Sequence, residues 1–192
     1  MFRFGYPVLV AAVVVAVSLA SRTLAEPKEG NTPPDKGDWT LSSLRVHEMP
    51  ECTYLHTTFE TTFEQLAQIT PIIEDLIKTV ADNHIMAEGY VMMIYKGVGP
   101  DRSKPFELSI GVVVPADTKP VGKYEIKRLE KFKTASALFN GGFESLGFAY
   151  QKHYGDVMAA GHMPTDETRE LHLYFEGETS GNNVVWIQAG IQ

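Results

Sequence analysis

The sequence predicts an α+β protein: a duplicated β-α-β-β unit whose strands form one antiparallel sheet, with two helices on one face, a groove on the other, and pseudo-twofold symmetry between the halves. Three observations predict it. Phe63-Glu64-Gln65-Leu66 is echoed by Phe143-Glu144-Ser145-Leu146, and Tyr90-Val91-Met92-Met93-Ile94-Tyr95-Lys96-Gly97 by Glu170-Leu171-His172-Leu173-Tyr174-Phe175-Glu176-Gly177, both at a spacing of roughly 80 residues. Around each echo the periodicity changes in the same order, from alternating to helical and back to alternating. The 192 residues, 44% hydrophobic and 21% charged, are enough for one globular domain with a real core and too few for two comfortable ones.

The N-terminal residues read as a targeting segment outside the fold. Arg3 gives a minimal positive start, Val8 to Ala20 is an apolar run, and Thr23-Leu24-Ala25 offers small residues for cleavage before Glu26. Residues 1–25 are therefore expected to be a signal peptide, and the mature protein to be secreted or periplasmic without a stable membrane span. The alternative is an uncleaved anchor, which the run's shortness disfavours against the ~20 apolar residues a span prefers. No cysteine follows the run, so a lipoprotein is not indicated. Loss of Arg3 and Arg22 takes the formal charge from −7 to −9. That acidity argues against a phosphate-backbone binder, so nucleic acid is not an expected partner. Cys52 is the only cysteine, which excludes an intramolecular disulfide. Residues 26–40 are polar and rich in Pro and Gly, as in a flexible linker.

The folded domain is expected over 41–192, in halves 41–120 and 121–192. Each half opens on an alternating stretch, 45–59 and 124–139. An amphipathic helix follows, 62–82 with apolar Phe63, Leu66, Ile69, Ile73, Leu76, Ile77 and Val80, and 142–160 with Phe143, Leu146, Tyr150, Tyr154 and Val157. Pro71 demands a kink or restart in the first helix. Two further strands close each half, ending at Val114 and Ile191.

Strand alternation sorts the faces. Val91, Met93 and Tyr95, with Leu171, Leu173 and Phe175, are expected beneath the helices, as are Leu108, Ile110, Val112 and Val114 with Val185, Ile187, Ala189 and Ile191. The opposite face would then carry Tyr90, Met92, Glu170, His172, Tyr174 and Trp186, with Tyr54 and His56 on a parity that reaches it. Aromatic rings around one carboxylate make a ligand floor: Glu170 would pair with a cation, and Tyr90, Tyr174 and Trp186 would stack on it. His172, two residues along, would tune the carboxylate or act as a base. A surface glutamate paired with Arg169 is the structural alternative. The remaining histidines show no metal-ligand spacing, so no metal is expected. The loop 97–101 has glycines without the lysine or the strand-to-helix context of a phosphate loop.

The run Gly141-Gly142-Phe143-Glu144-Ser145-Leu146-Gly147-Phe148-Ala149-Tyr150, then Glu170 opening a strand, then a final strand ending Ile187-Gln188-Ala189-Gly190-Ile191, resembles the GyrI-like (gyrase-inhibitor-like) small-molecule-binding family. The same module serves as the effector-binding domain of AraC-type and MerR-type regulators. The resemblance covers 45–192 and implies a duplicated β-α-β-β fold with a central groove for amphipathic, often cationic or aromatic compounds. It also implies a groove glutamate at Glu170. Asn140-Gly141-Gly142-Phe143 replaces the family's frequent His-Gly-Pro-Tyr, and His172 stands where tyrosine is common.

The expected function is thus an exported small-molecule-binding protein without a cofactor. A hydrolase of strained-ring electrophiles, in which Glu170 activates water with tyrosine or His172 as donor, is the catalytic alternative. A protein-interaction module or a haem-binding relative, with His56, His153 or His172 as axial candidates, is the remaining one.

Overall fold

The computed structural model describes residues 39–99, 101, 103–177 and 180–192; the expected signal peptide and all but the end of the linker lie outside them. Nine strands form one antiparallel sheet. They are β1 (Thr40–Leu41), β2 (Arg45–Met49), β3 (Cys52–Thr61), β4 (Val91–Lys96), β5 (Phe106–Val114), β6 (Glu125–Leu129), β7 (Phe132–Asn140), β8 (Pro164–Tyr174) and β9 (Val184–Ile191). The two helices are α1 (Thr70–Asp82) and α2 (Leu146–Ala159), each preceded by a short 3₁₀ turn. The sheet order is β1-β7-β9-β8-β4-β5-β3-β6, with β2 also on β7.

The alternating stretches 45–59 and 124–139 are each two strands rather than one. Pro50-Glu51 breaks the first and Glu130-Lys131 the second. β2 leaves its own half and pairs with β7, Arg45 opposite Ser136, while β6 pairs with β3, Cys52 opposite Leu129. The exchange is symmetric: β2 and β6 start at 45 and 125, β3 and β7 at 52 and 132. Proline has no amide proton for a ladder, so continuation of the first stretch as one strand is disfavoured at Pro50. β6 and β7 lie on opposite sides of the sheet order, yet three Cα steps from Leu129 to Phe132 span no more than about 11 Å. The sheet must therefore curl until these strands meet.

The helices begin where the sequence changes period. Thr62 donates its backbone N–H to Gln65 Oε1 at 3.1 Å at the first 3₁₀ turn, and Pro71 sits in the first turn of α1, where its missing N–H costs nothing. The predicted restart at Pro71 is what the chain does. Ile73 and Leu76 of α1 and Leu146 and Ala149 of α2 pack with Leu55, Met93, Leu108, Ile110 and Ile187 in one main core, so both helices cover the same face. Among the described residues no helix is long and apolar enough to cross a membrane.

The halves meet at β4 and β8, with Met92 opposite Leu171, Met93 opposite Glu170 and Ile94 opposite Arg169. Directly opposed residues share a face. Val91, Met93 and Tyr95 face the helices as expected, and so Glu170 faces them too. Leu171 instead joins Tyr54, Met92 and Ile94 in a second cluster on the other face. The expected parity of β8 is thus reversed at Glu170, Leu171 and His172. β8 is longer than β4 and its pairing with β9 shifts between Pro164 and Thr168 and again between His172 and Tyr174. One such shift exchanges the faces that an aligned repeat would assign. Beyond the second, Phe175 packs on Phe143 of the main core, as predicted, at 5.7 Å between ring centroids.

On the second face Tyr54 lies across Gly111. Its hydroxyl donates to Met92 O at 2.7 Å, a reach that a side chain at 111 would obstruct. A Cβ there would stand 2.3 Å from Leu55 O and 2.7 Å from the Tyr54 ring. Gly111→Ala is expected to lower stability by about 1–3 kcal/mol through overpacking; urea unfolding followed by tryptophan fluorescence checks this, and an unchanged midpoint would contradict it.

Candidate functional site

The helix-covered face holds a polar centre built on Glu170, which is only 5% exposed. Tyr95, from β4, donates its hydroxyl to Oε2 at 3.0 Å, and His172 Nε2 stands 3.3 Å from the same oxygen. Tyr150 reaches down from α2 and donates to Oε1. Burial pushes the carboxyl upward, but His172, Tyr150 and Tyr95 together outweigh it and hold Glu170 below the usual carboxylate range. Burial, reinforced by the Glu170 charge, pushes the Tyr95 and Tyr150 hydroxyls well above their usual range, so both remain donors. His172 packs obliquely on Phe143, and its buried Nδ1 has no hydrogen-bond partner among the described residues.

The surroundings extend this centre along α2. Tyr154 bonds Thr168 at 2.5 Å between oxygens, and its ring stacks on Tyr150 at 6.3 Å. His153, on the same helix, is buried with Nε2 3.2 Å from Ala135 O, and burial pushes it below the usual imidazole range. The site is thus an ionised carboxylate walled by aromatic rings, with Tyr150 as its roof. It supplies an anionic hydrogen-bond acceptor in a dry setting, where a cation gains far more than in water.

The predicted residues divide between the two faces. Glu170 and His172 come together under α2. Tyr54, Met92 and His56 lie on the other face: Tyr54 and His56 stack at 5.1 Å with nearly parallel rings, and His56 Nδ1 approaches Thr58 Oγ1 at 3.0 Å. Burial, then the Lys127 charge, lowers the His56 pKa. Trp186 is also on that face, half-buried and stacked on His47 at 5.8 Å. Tyr90 and Tyr174 are exposed at the ends of β4 and β8, and neither touches Glu170. The aromatic partners of Glu170 are therefore Tyr95 and Tyr150, and not the Tyr90, Tyr174 and Trp186 expected.

The sequence pattern does not single out Tyr95 and Tyr150 for the site, because both also fit a core pattern. The available signal was that each is an amphipathic ring at an otherwise aliphatic position, and a buried tyrosine hydroxyl needs a partner. Arg169, expected only as a surface partner of Glu170, is buried and points away from it into a cavity of about 250 Å³ on the second face. Among the described residues no group of three or more His, Cys, Asp or Glu side chains is placed to hold a metal ion.

No protein-family model matches the chain, and no curated protein matches it in sequence. Solved structures do match in fold. EcmrR in its complex with DNA superposes with a TM-score of 0.64 at 19% identity, over 80% of this chain and 57% of that one, so this chain spans little more than half of EcmrR. The EcmrR C-terminal domain alone gives 0.61 at 18% identity, over 78% of this chain and 97% of the domain. SAV2435 bound to tetraphenylphosphonium gives 0.55 at 11% identity, over 79% and 94%, and a hydrolase from Listeria innocua gives 0.53 at 10%, over 78% and 91%. This chain thus shares the fold of these solved structures, which is the GyrI-like fold that its sequence resemblance implied.

Proposed function

We propose that this chain is a small-molecule-binding domain that takes an amphipathic cation, with Glu170 as its counter-charge. The observation that carries the reading is an ionised carboxylate under α2 with tyrosine hydroxyls and one histidine as its polar partners. SAV2435, of the same fold, was solved with a lipophilic cation bound. Because Glu170 is buried, a ligand must displace Tyr150 to reach it. The exchange replaces a neutral donor by a full positive charge, whose coulombic attraction to the carboxylate is strong in a buried setting. Tyr95, Tyr154 and Phe143 are placed to give the apolar body stacking surface.

The unpartnered Nδ1 of His172 favours a second reading, a hydrolase in which Glu170 and His172 handle protons for attack by water. Turnover of a cyclopropane-type electrophile that vanishes in Glu170→Gln would favour it over binding alone. For localisation, we propose export, supported by the apolar run at 8–20 and the small residues before Glu26.

Tetraphenylphosphonium is expected to raise the Tm of the protein, and Glu170→Gln to remove most of that rise while leaving any effect of neutral triphenylphosphine oxide intact. Equal stabilisation of both forms by the cation would overturn the assignment. Stability against pH offers an independent check. The folded pKa of Glu170 lies below its unfolded value, so its contribution is present above the ordinary carboxylate range and is lost as pH falls through the folded pKa. Glu170→Gln is expected to cost about 1.5–3 kcal/mol at pH 7 and progressively less in acid, read by urea unfolding at several pH values. For export, intact-mass measurement of protein secreted by a bacterial host is expected to show a chain beginning at Glu26; retention of 1–25 would refute cleavage there.

A further inference from the structure

The cavity on the second face lies opposite the Glu170 centre and has a different chemistry. Its floor is the centre of the sheet, Ile94 and Arg169, its side is Tyr54, and the Lys127–Phe132 crossing lines its other side and leaves it partly open. Arg169 follows from the same alternation that buries Glu170: neighbours in β8 point to opposite faces, so the strand offers a cation to one side and an anion to the other. The Arg169 side chain is only 7% exposed, with its guanidinium 3.8 Å from the Phe132 ring centroid.

Five cations line this cavity, Lys96, Lys127, Arg128, Lys131 and Arg169, against two anions, Glu130 and Glu167. Glu167 is shared by two cations, Arg169 at 2.7 Å and Lys96 at 3.0 Å. Both guanidinium contacts, from Nε and Nη2, end on the single oxygen Oε1, while Lys96 takes Oε2. The rest of the guanidinium fork meets no acceptor among the described residues, although such a fork matches a carboxylate through two N–H groups. At the rim Arg128 and Lys131 are held by Glu51 and Glu48, at 2.5 and 3.0 Å. Lys127, exposed beside them, has no ion pair among the described residues. An excess positive charge at a buried guanidinium is costly, and an incoming anion would offset it.

We propose that this cavity is a second binding site, for a small carboxylate with a short apolar body. The carboxylate meets the free edge of Arg169 and the apolar part lies on Ile94, Leu129 and the Tyr54 ring. At about 250 Å³ the cavity falls just short of the roughly 300 Å³ at which pockets for drug-sized ligands begin, so the occupant is small. This site does not depend on the cation reading of Glu170, which lies on the other face.

Hexanoate is the probe, with hexylammonium as its charge-reversed control, in an NMR titration of the isotope-labelled protein at low salt. Hexanoate is expected to shift the amides of Ile94, Leu129 and Arg169 saturably, and hexylammonium to leave them unmoved. Lys127→Glu, an exposed change, is expected to weaken hexanoate about two- to fivefold, the range an exposed ion pair supplies. Arg169→Gln is expected to weaken it about tenfold or more through loss of a charged hydrogen bond. Should Arg169→Gln fail to fold, Lys127→Glu decides the matter. Glu170→Gln is expected to leave hexanoate binding unchanged, which separates this site from the other. Absence of saturable shifts, equal response to hexylammonium, or full hexanoate affinity in Lys127→Glu would overturn the proposal.

Discussion

Two links of two residues each, Pro50-Glu51 and Glu130-Lys131, constrain everything else in this protein. Each joins strands on opposite sides of the sheet order, and so short a tether allows only a curled sheet. Curling divides the molecule into a convex side, where two helices can lie, and a concave side partly roofed by the links themselves. The two sides have opposite electrostatics as a result of one strand. β8 runs through the middle of the sheet, sends Glu170 under α2 and sends Arg169 beneath the Lys127–Phe132 crossing. Burial of each charge is tolerable because its own side supplies partners: tyrosines and a histidine for one, Glu167 and an aromatic face for the other.

Much of this architecture was legible because the chain repeats itself. The order of elements, the two helices, the restart at Pro71 and the helix-facing set Val91, Met93, Tyr95, Ile110 and Ile187 all follow from periodicity, which reports burial directly. The exchange of β2 and β6 was not legible. Pairing across 69 to 91 residues leaves no local trace, and Arg45–Met49 alternates equally well against β3 or β7.

The site was half legible. Glu170 stood out as the family-like position, and His172 two residues along does share its face. The face itself was misassigned, because hydropathy reads a Glu and a His as solvent-directed. Their mutual contact and the Tyr95 and Tyr150 hydroxyls satisfy them inside, and that satisfaction depends on α2 being folded over β8, which no spacing encodes. A register shift next to His172 then removed the last cue, since it breaks the alignment between the two copies where their faces would have been compared.

The exchanged strands also govern the order in which the chain can become a protein. β7 needs β2 on one side and β9 on the other, and β4 keeps an unpaired edge until β8 arrives. No prefix of the chain that stops short of β9 has the sheet's strands paired in their final order, and the contacts that complete it are mostly remote in sequence. Such topologies fold slowly, since loop entropy must be spent before the pairing repays it. Nascent lengths of this polypeptide thus remain without their final structure until β8 and β9 have been made, a delay that leaves the chain open to capture by whatever handles unfolded polypeptides first.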